Sequence, residues 1–207
     1  MNVKKVVALG ASLLLGISLA GCGNNTSKNS SNSQEVSGPL KKVGTYTKDS
    51  DTGKTTLLAI KNYHNKAIKT KSATYYFKDA KLLKIETTKK SQRSNDENNF
   101  GKKLTGTYYE YQLDYSLKNN SKKRVSSNGV ELITPSGDQL SSNQGAMDML
   151  AGAKIQPGVK KSSYIQAIAK KSDVKNIAKY KFVSAELVED SGNYSGVDNQ
   201  TTINFNK

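Results

Sequence analysis

The sequence predicts an all-β domain, built as an antiparallel β-sandwich behind an N-terminal signal helix and a disordered linker. Three observations carry that expectation. Residues 109–118, YEYQLDYSLK, alternate apolar and polar side chains over ten positions, the period of a strand with one buried face. Shorter runs rich in Tyr, Val, Ile and Thr recur on either side, separated by Gly, Pro, Asn and Asp turn signals. The N-terminal residues differ from everything after them: an apolar run, then a tract of Ser and Asn.

The apolar run is short. Lys4 and Lys5 form a positive segment, and residues 6–20 are apolar apart from Ser12 and Ser18. A permanent membrane-spanning helix needs about 20 residues, so this run fits the hydrophobic region of a signal peptide instead. Leu19, Ala20, Gly21 and Cys22 follow. These four residues resemble the lipobox of bacterial lipoproteins, in which small residues precede a cysteine. The resemblance implies cleavage before Cys22 and diacylglyceryl (palmitate-type) modification of its thiol. It places the protein at the cell membrane, lipid-anchored and facing the extracytoplasmic side. Each buried CH₂ contributes about 0.8 kcal/mol, so two acyl chains hold a protein stably where one does not. Cleavage removes Lys4 and Lys5, so the formal charge of 32 basic minus 17 acidic residues, +15, becomes +13.

Residues 23–34, GNNTSKNSSNSQ, carry eight Ser or Asn in twelve positions and no apolar side chain. Such a segment cannot bury enough surface to offset its ordering entropy. With Cys22 and the residues up to Gly38-Pro39 it forms a linker, 22–39; a flexible chain of about 16 residues has a root-mean-square span of roughly 20–24 Å. The domain is expected over 40–207. Residues 41–47 and 55–63 flank the turn signals of 49–53 and read as a hairpin. Residues 73–88 form a long strand, and the polar 89–103 a loop. The 109–118 strand leads into a turn at 119–123. Residues 130–134 precede Pro135-Ser136-Gly137-Asp138, a strong turn. Residues 144–153 have helical composition, which Gly145 and Gly152 restrict to a short turn. After Pro157-Gly158 come strands at 163–169 and 178–188, and 201–205 adds an edge strand.

Residues 111–123, YQLDYSLKNNSKK, resemble the alternating strand and N-x-S/T-x-K segment of DUF4352-type extracellular domains, the immunoglobulin-like sandwiches of Gram-positive lipoproteins. The Pro-x-Gly-Asp turn, the Pro157-Gly158 turn and the strands after it follow in the same order. The match covers about residues 73–190 and leaves the hairpin at 40–63 outside. It implies an immunoglobulin-like sandwich, and it supplies no catalytic residue.

Composition excludes several chemistries. One cysteine cannot form a disulfide within the chain, and one Cys with one His cannot complete a four-ligand zinc site. Any histidine-dependent nucleophile would have to use His64, which lies in a polar stretch without a nucleophile elbow and reads as an exposed loop residue. Asp49 and Asp51 lack the closing carboxylate of a calcium loop. Gly53-Lys54-Thr55 lacks the upstream glycine of a phosphate-binding loop. Tyr109, Tyr111 and Tyr115 share the apolar face of one strand and are assigned to the core. The densest cation clusters are Lys122-Lys123-Arg124, Lys160-Lys161 and Lys170-Lys171; the first two are the expected contacts for a polyanion. The expected function is that of a membrane-anchored cell-surface lipoprotein acting as a non-catalytic binding or interaction module. It would use no cofactor and no metal. Its expected partners are the membrane through the anchor, anionic lipid or cell-wall polymer, and a protein partner, but not nucleic acid. The alternatives are a polyanion-associating envelope protein that uses only its cationic surface, and a hydrolase whose site leaves no trace in sequence.

Overall fold

The computed structural model describes residues 33–191 and 195–205. The signal helix, Leu19, Ala20, Gly21, Cys22 and most of the linker lie outside the described residues. The chain is mostly β, as predicted. Two long strands open the domain, β1 (Tyr46–Asp49) serving as the edge of β2 (Gly53–Lys69), which pairs with β3 (Ala73–Glu86). The β1–β2 turn closes because Asp49 Oδ1 accepts the backbone N–H of Asp51 at 2.8 Å and of Thr52 at 2.9 Å. Gly53 has φ +89°, and a Cβ there would lie 2.2 Å from the carbonyl oxygen of Glu86, so the approach of β3 requires glycine. Residues 34–36, expected in the linker, run beside β1, with Val36 N–H donating to the Tyr46 carbonyl at 2.9 Å.

After a helix, α1 (Lys90–Phe100), come β4 (Thr107–Asn119), β5 (Val125–Ser127), β6 (Glu131–Ile133), β7 (Gln139–Ser142), β8 (Gly145–Asp148), β9 (Lys154–Ile155) and β10 (Lys160–Ala169). A 3-10 helix (Lys171–Lys179) leads to β11 (Lys181–Val183), β12 (Leu187–Glu189), β13 (Gly196–Asp198) and β14 (Thr202–Asn204). One sheet runs β1-β2-β3-β4-β10-β8-β7-β6-β11-β14, and a second runs β13-β12-β5-β9. Pairing is antiparallel except between β7 and β8.

The large sheet curls on itself. Phe182 of β11 meets Tyr75 and Phe77 of β3 edge-on at 5.2 and 4.9 Å, and Tyr115 of β4 at 5.4 Å, although several strands separate them in the sheet. These rings prefer edge-to-face packing and form the centre of the main core. Tyr111 and Tyr115 belong to that core and Tyr109 packs against it, as the alternation predicts.

Three expectations are corrected. Residues 89–103 are not a loop, since α1 occupies most of them. Their composition hides the helix, because only Asp96 and Phe100 are buried, one turn apart on one face. Gly101 ends it in the left-handed conformation, φ +61°, donating to the Glu97 carbonyl. Residues 144–153 begin as strand β8 rather than a helical turn, because β10 and β7 offer open ladders on both sides. Residues 178–188 hold the end of the 3-10 helix and then two strands in different sheets. The break falls at Ser184–Glu186, where Ala185 N–H donates to the Tyr75 hydroxyl at 3.0 Å and Ser184 N–H to the Thr201 carbonyl at 2.9 Å.

His64 is exposed, but within β2 rather than in a loop. With Asn65 it takes positive φ, 53° and 57°, where the pairing of β2 with β3 shifts register.

Candidate functional site

The two faces of β4 have different fates. Odd positions from Tyr111 to Leu117 point into the main core. Even positions lie on the opposite face, and what covers them changes along the strand. At the first end, Tyr108 packs with Leu57, Leu83, Ile85 and Phe100 beneath α1, with Leu40 beside them. In the middle the face is polar and half-buried: Gln112 and Asp114 stand opposite Gln166 and Tyr164 of β10. At the far end it carries Ser116 and Lys118 opposite Ser162 and Lys160.

The covered end holds two buried carboxyl groups. Asp96 of α1 accepts from the Tyr108 hydroxyl at 2.9 Å and from Gln92 Nε2 at 2.8 Å. Glu110 is 5% exposed and accepts from Gln166 Nε2 at 2.7 Å. Burial pushes the Glu110 carboxyl up to about 7, against the Gln166 hydrogen bond, and the nearby Asp96 carboxylate adds to the rise. Burial likewise raises Asp96, opposed by Tyr108 and Gln92. In the middle of the face burial raises Asp114, with the charge of Asp79 next; Gln112 Nε2 donates to Asp114 at 3.2 Å, and Asp79 pairs with Lys81 at 3.5 Å. Among the described residues no three His, Cys, Asp or Glu side chains group as metal ligands. The middle of the face carries half-buried hydrogen-bonding groups. The face also contains a carboxyl group, Glu110, that changes protonation near neutral pH.

The far end is cationic. Register places Lys69 of β2 opposite Thr74 of β3, Thr74 opposite Lys118 of β4, and Lys118 opposite Lys160 of β10. Directly paired residues share a face, so three lysines and a threonine form one row across four strands. Lys160 reaches over the ring of Tyr76, its Nζ 3.8 Å from the centroid, a cation–π contact.

The predicted polyanion contacts fall in different places. Lys123 pairs with Glu189, and Arg124 Nε lies 2.7 Å from Asp190 Oδ2, while Lys154 Nζ lies 3.0 Å from Asp190 Oδ1. Lys122 is exposed in the turn after β4. Lys160 joins the cationic row, whereas Lys161 pairs with Leu117 and therefore faces the other way. Lys170 pairs with Asp138 at 2.8 Å. Sequence reasoning missed Lys69, Lys118, Asp96 and Glu110. The alternation of β4 already put Glu110 and Lys118 on one face; only the register with β2 and β10 supplies their neighbours.

The N-x-S-x-K segment acquires a physical role. Asn119 is fully buried. Its Nδ2 donates to the carbonyls of Lys123 at 2.8 Å and Ile155 at 3.1 Å, and its Oδ1 accepts from Ser121 N–H at 2.9 Å and Ser121 Oγ at 2.7 Å. Asn and Ser thus shape the turn, and Lys123 ties it to β12.

No family model matches the chain, and no curated protein matches it. Among solved structures it is similar to a functionally unknown protein from Listeria monocytogenes EGD-e: 16% identity and a TM-score of 0.46, covering 71% of this chain and 85% of that one. It is also similar to the yjhA protein from Bacillus subtilis: 11% identity and a TM-score of 0.46, covering 70% of this chain and 99% of that one.

Proposed function

We propose that this protein is a lipid-anchored surface lipoprotein whose β domain is a non-catalytic binding module. The observation that carries the reading is the order of segments: an apolar run, Leu19-Ala20-Gly21-Cys22, a Ser/Asn tract, then a folded β domain. The tract connects the acylated cysteine to a chain that is already paired at Glu35, beside Tyr46. The domain is read as an elaborated immunoglobulin-like sandwich, a reading supported by a second sheet whose Val125, Ile155 and Leu187 join the core of the large one and by the Asn119–Lys123 turn.

The test is Cys22→Ala in the full chain, followed by membrane fractionation and metabolic palmitate labelling. The expected outcome is loss of label and release from the membrane pellet. A variant that remains labelled and sediments with membranes overturns the anchor.

A further inference from the structure

We propose that the far end of the large sheet, the row formed by Lys69, Lys118 and Lys160, docks an anionic phosphodiester polymer lying outside the membrane. Three observations support the surface. First, Lys118 and Lys160 are direct cross-strand partners, and like charges in that position repel. Among the described residues no ion pair relieves either of them or Lys69. A bound anion would.

Second, the carboxylates at the ends of β12 and β13, flanking the turns here, already have partners. Glu189 and Asp190 are held by Lys123, Arg124 and Lys154. Asp198 accepts from Thr70 Oγ1 at 2.5 Å and Ser72 N–H at 2.7 Å. Asp198 is held by neutral donors rather than by a cation, but three lysines against that one buried carboxylate leave the row net positive. Third, its length suits several phosphates rather than one: four strands at ~4.8 Å spacing span ~14 Å. Thr74, buried between Lys69 and Lys118, is taken by Asn120 Nδ2 at 2.8 Å, so the lysines alone make the row's contacts.

The choice of a polymer over the bilayer rests on the anchored reading. The chain joins the sheet at Glu35 beside Tyr46, and Tyr46 pairs through Thr56 with Lys84 of β3. From Lys84 to Thr74 is ten residues along β3, about 33 Å at 3.3 Å per residue. An anchor at Cys22 thus attaches at the opposite end of the sheet and leaves the cationic row at the end farther from the tether.

The test uses the full chain in detergent micelles, with poly(glycerol phosphate) as probe. The measurement is affinity across a salt series. Lys69→Gln/Lys118→Gln/Lys160→Gln is compared with Lys171→Gln/Lys175→Gln/Lys179→Gln on the 3-10 helix, which removes the same charge elsewhere. The row variant is expected to bind at least tenfold more weakly. Its slope of log affinity against log salt should fall by about 2, from three lost contacts at ~0.7 each. Its melting temperature should hold or rise, since a like-charge pair is gone. Equal weakening by both triple variants overturns the proposal, because net charge alone would then bind the polymer. A second arm uses vesicles of three parts phosphatidylcholine to one of phosphatidylglycerol. If the row variant loses vesicle binding and keeps polymer binding, headgroups are the partner and the proposal fails. If Cys22→Ala stays on the membrane while the row variant still loses the polymer, the surface stands and the anchor reading falls.

Discussion

Two carboxyl groups of this domain are almost equally hidden, yet their surroundings differ. Asp148, 6% exposed, sits in the main core. Its Oδ1 accepts from the Tyr115 hydroxyl at 2.6 Å and Leu150 N–H at 3.1 Å, and its Oδ2 from Val130 N–H at 3.0 Å. Glu110, 5% exposed, lies under α1 with one donor, Gln166, and a second acid, Asp96, nearby. Burial raises both carboxyl groups, but three donors at Asp148 oppose the rise. Burial alone therefore does not set the behaviour of an acid; the number of donors aimed at it does. The main core is locked by a carboxylate that joins β4, β8 and the start of β6. The cluster under α1 includes Phe100 of the helix and two acids, Asp96 and Glu110, whose charged forms burial disfavours.

The sharpest break in that comparison is Leu113→Asp. Leu113 is fully buried in the main core, and an unpaired carboxylate there costs several kcal/mol against a total of ~5–15. The expected outcome is loss of the cooperative melting transition, read by circular dichroism. A folded Leu113→Asp protein would mean that the odd positions of β4 do not face the core.

Phe100→Ala acts on the other region. Phe100 is 3% exposed, and removing such a ring costs about 3 kcal/mol. The loss should be local. Amides of α1 are expected to lose hydrogen-exchange protection, while those of β4 between Tyr111 and Leu117 keep their order of protection relative to the rest of the core. Uniform loss across both regions would make them one cooperative unit.

Glu110→Gln sharpens the comparison through pH. The carboxyl titrates near 7 when folded, against 4.5 for a free group. Between those values the folded state holds the extra proton, so stability falls as pH rises from about 4.5 through 7, then levels. The 2.5-unit difference corresponds to about 3 kcal/mol. Melting temperature measured from pH 5 to pH 8 should fall in the native protein and fall less in Glu110→Gln, whose amide does not titrate. Parallel curves for the two would place the titration elsewhere.

The smallest effect belongs to Asp114→Leu. Asp114 faces the half-buried polar band, where burial already disfavours its charge. Its replacement should shift stability by no more than about 0.5 kcal/mol. Urea midpoints at pH 7 check it. A loss comparable to that of Phe100→Ala would show that its bond from Gln112 organises the band.

The strand period of β4 was legible because one face meets a continuous core and the other does not. The same pattern misled at its first turn. Tyr108 and Glu110 sit at positions that alternation assigns to solvent, and α1 buries them. That helix was illegible because it carries no apolar stripe; Asp96 and Phe100 anchor it through contacts with residues distant in sequence. The split of residues 178–188 was invisible for a related reason. Its apolar residues read as one run, and only Tyr75 and Thr201, from elsewhere in the chain, take the hydrogen bonds that divide it. The lysine clusters were read along the chain, whereas the cationic row runs across it. Lys69, Lys118 and Lys160 are far apart in sequence and meet only through register.

The short pairing of residues 34–36 with β1 has a consequence for crowding. A ten-stranded sheet has two open edges, and an open edge invites the edge of another copy. At β1 the chain covers its own: the Tyr46 carbonyl accepts Val36 N–H, and Tyr46 N–H donates to the Gln34 carbonyl, both at 2.9 Å. On the proposed anchor, copies of the chain share one surface and meet far more often than the same number dissolved. The segment before the domain thus acts as a chaperone for its own edge, and trimming it would leave β1 free to recruit a neighbouring molecule's strand.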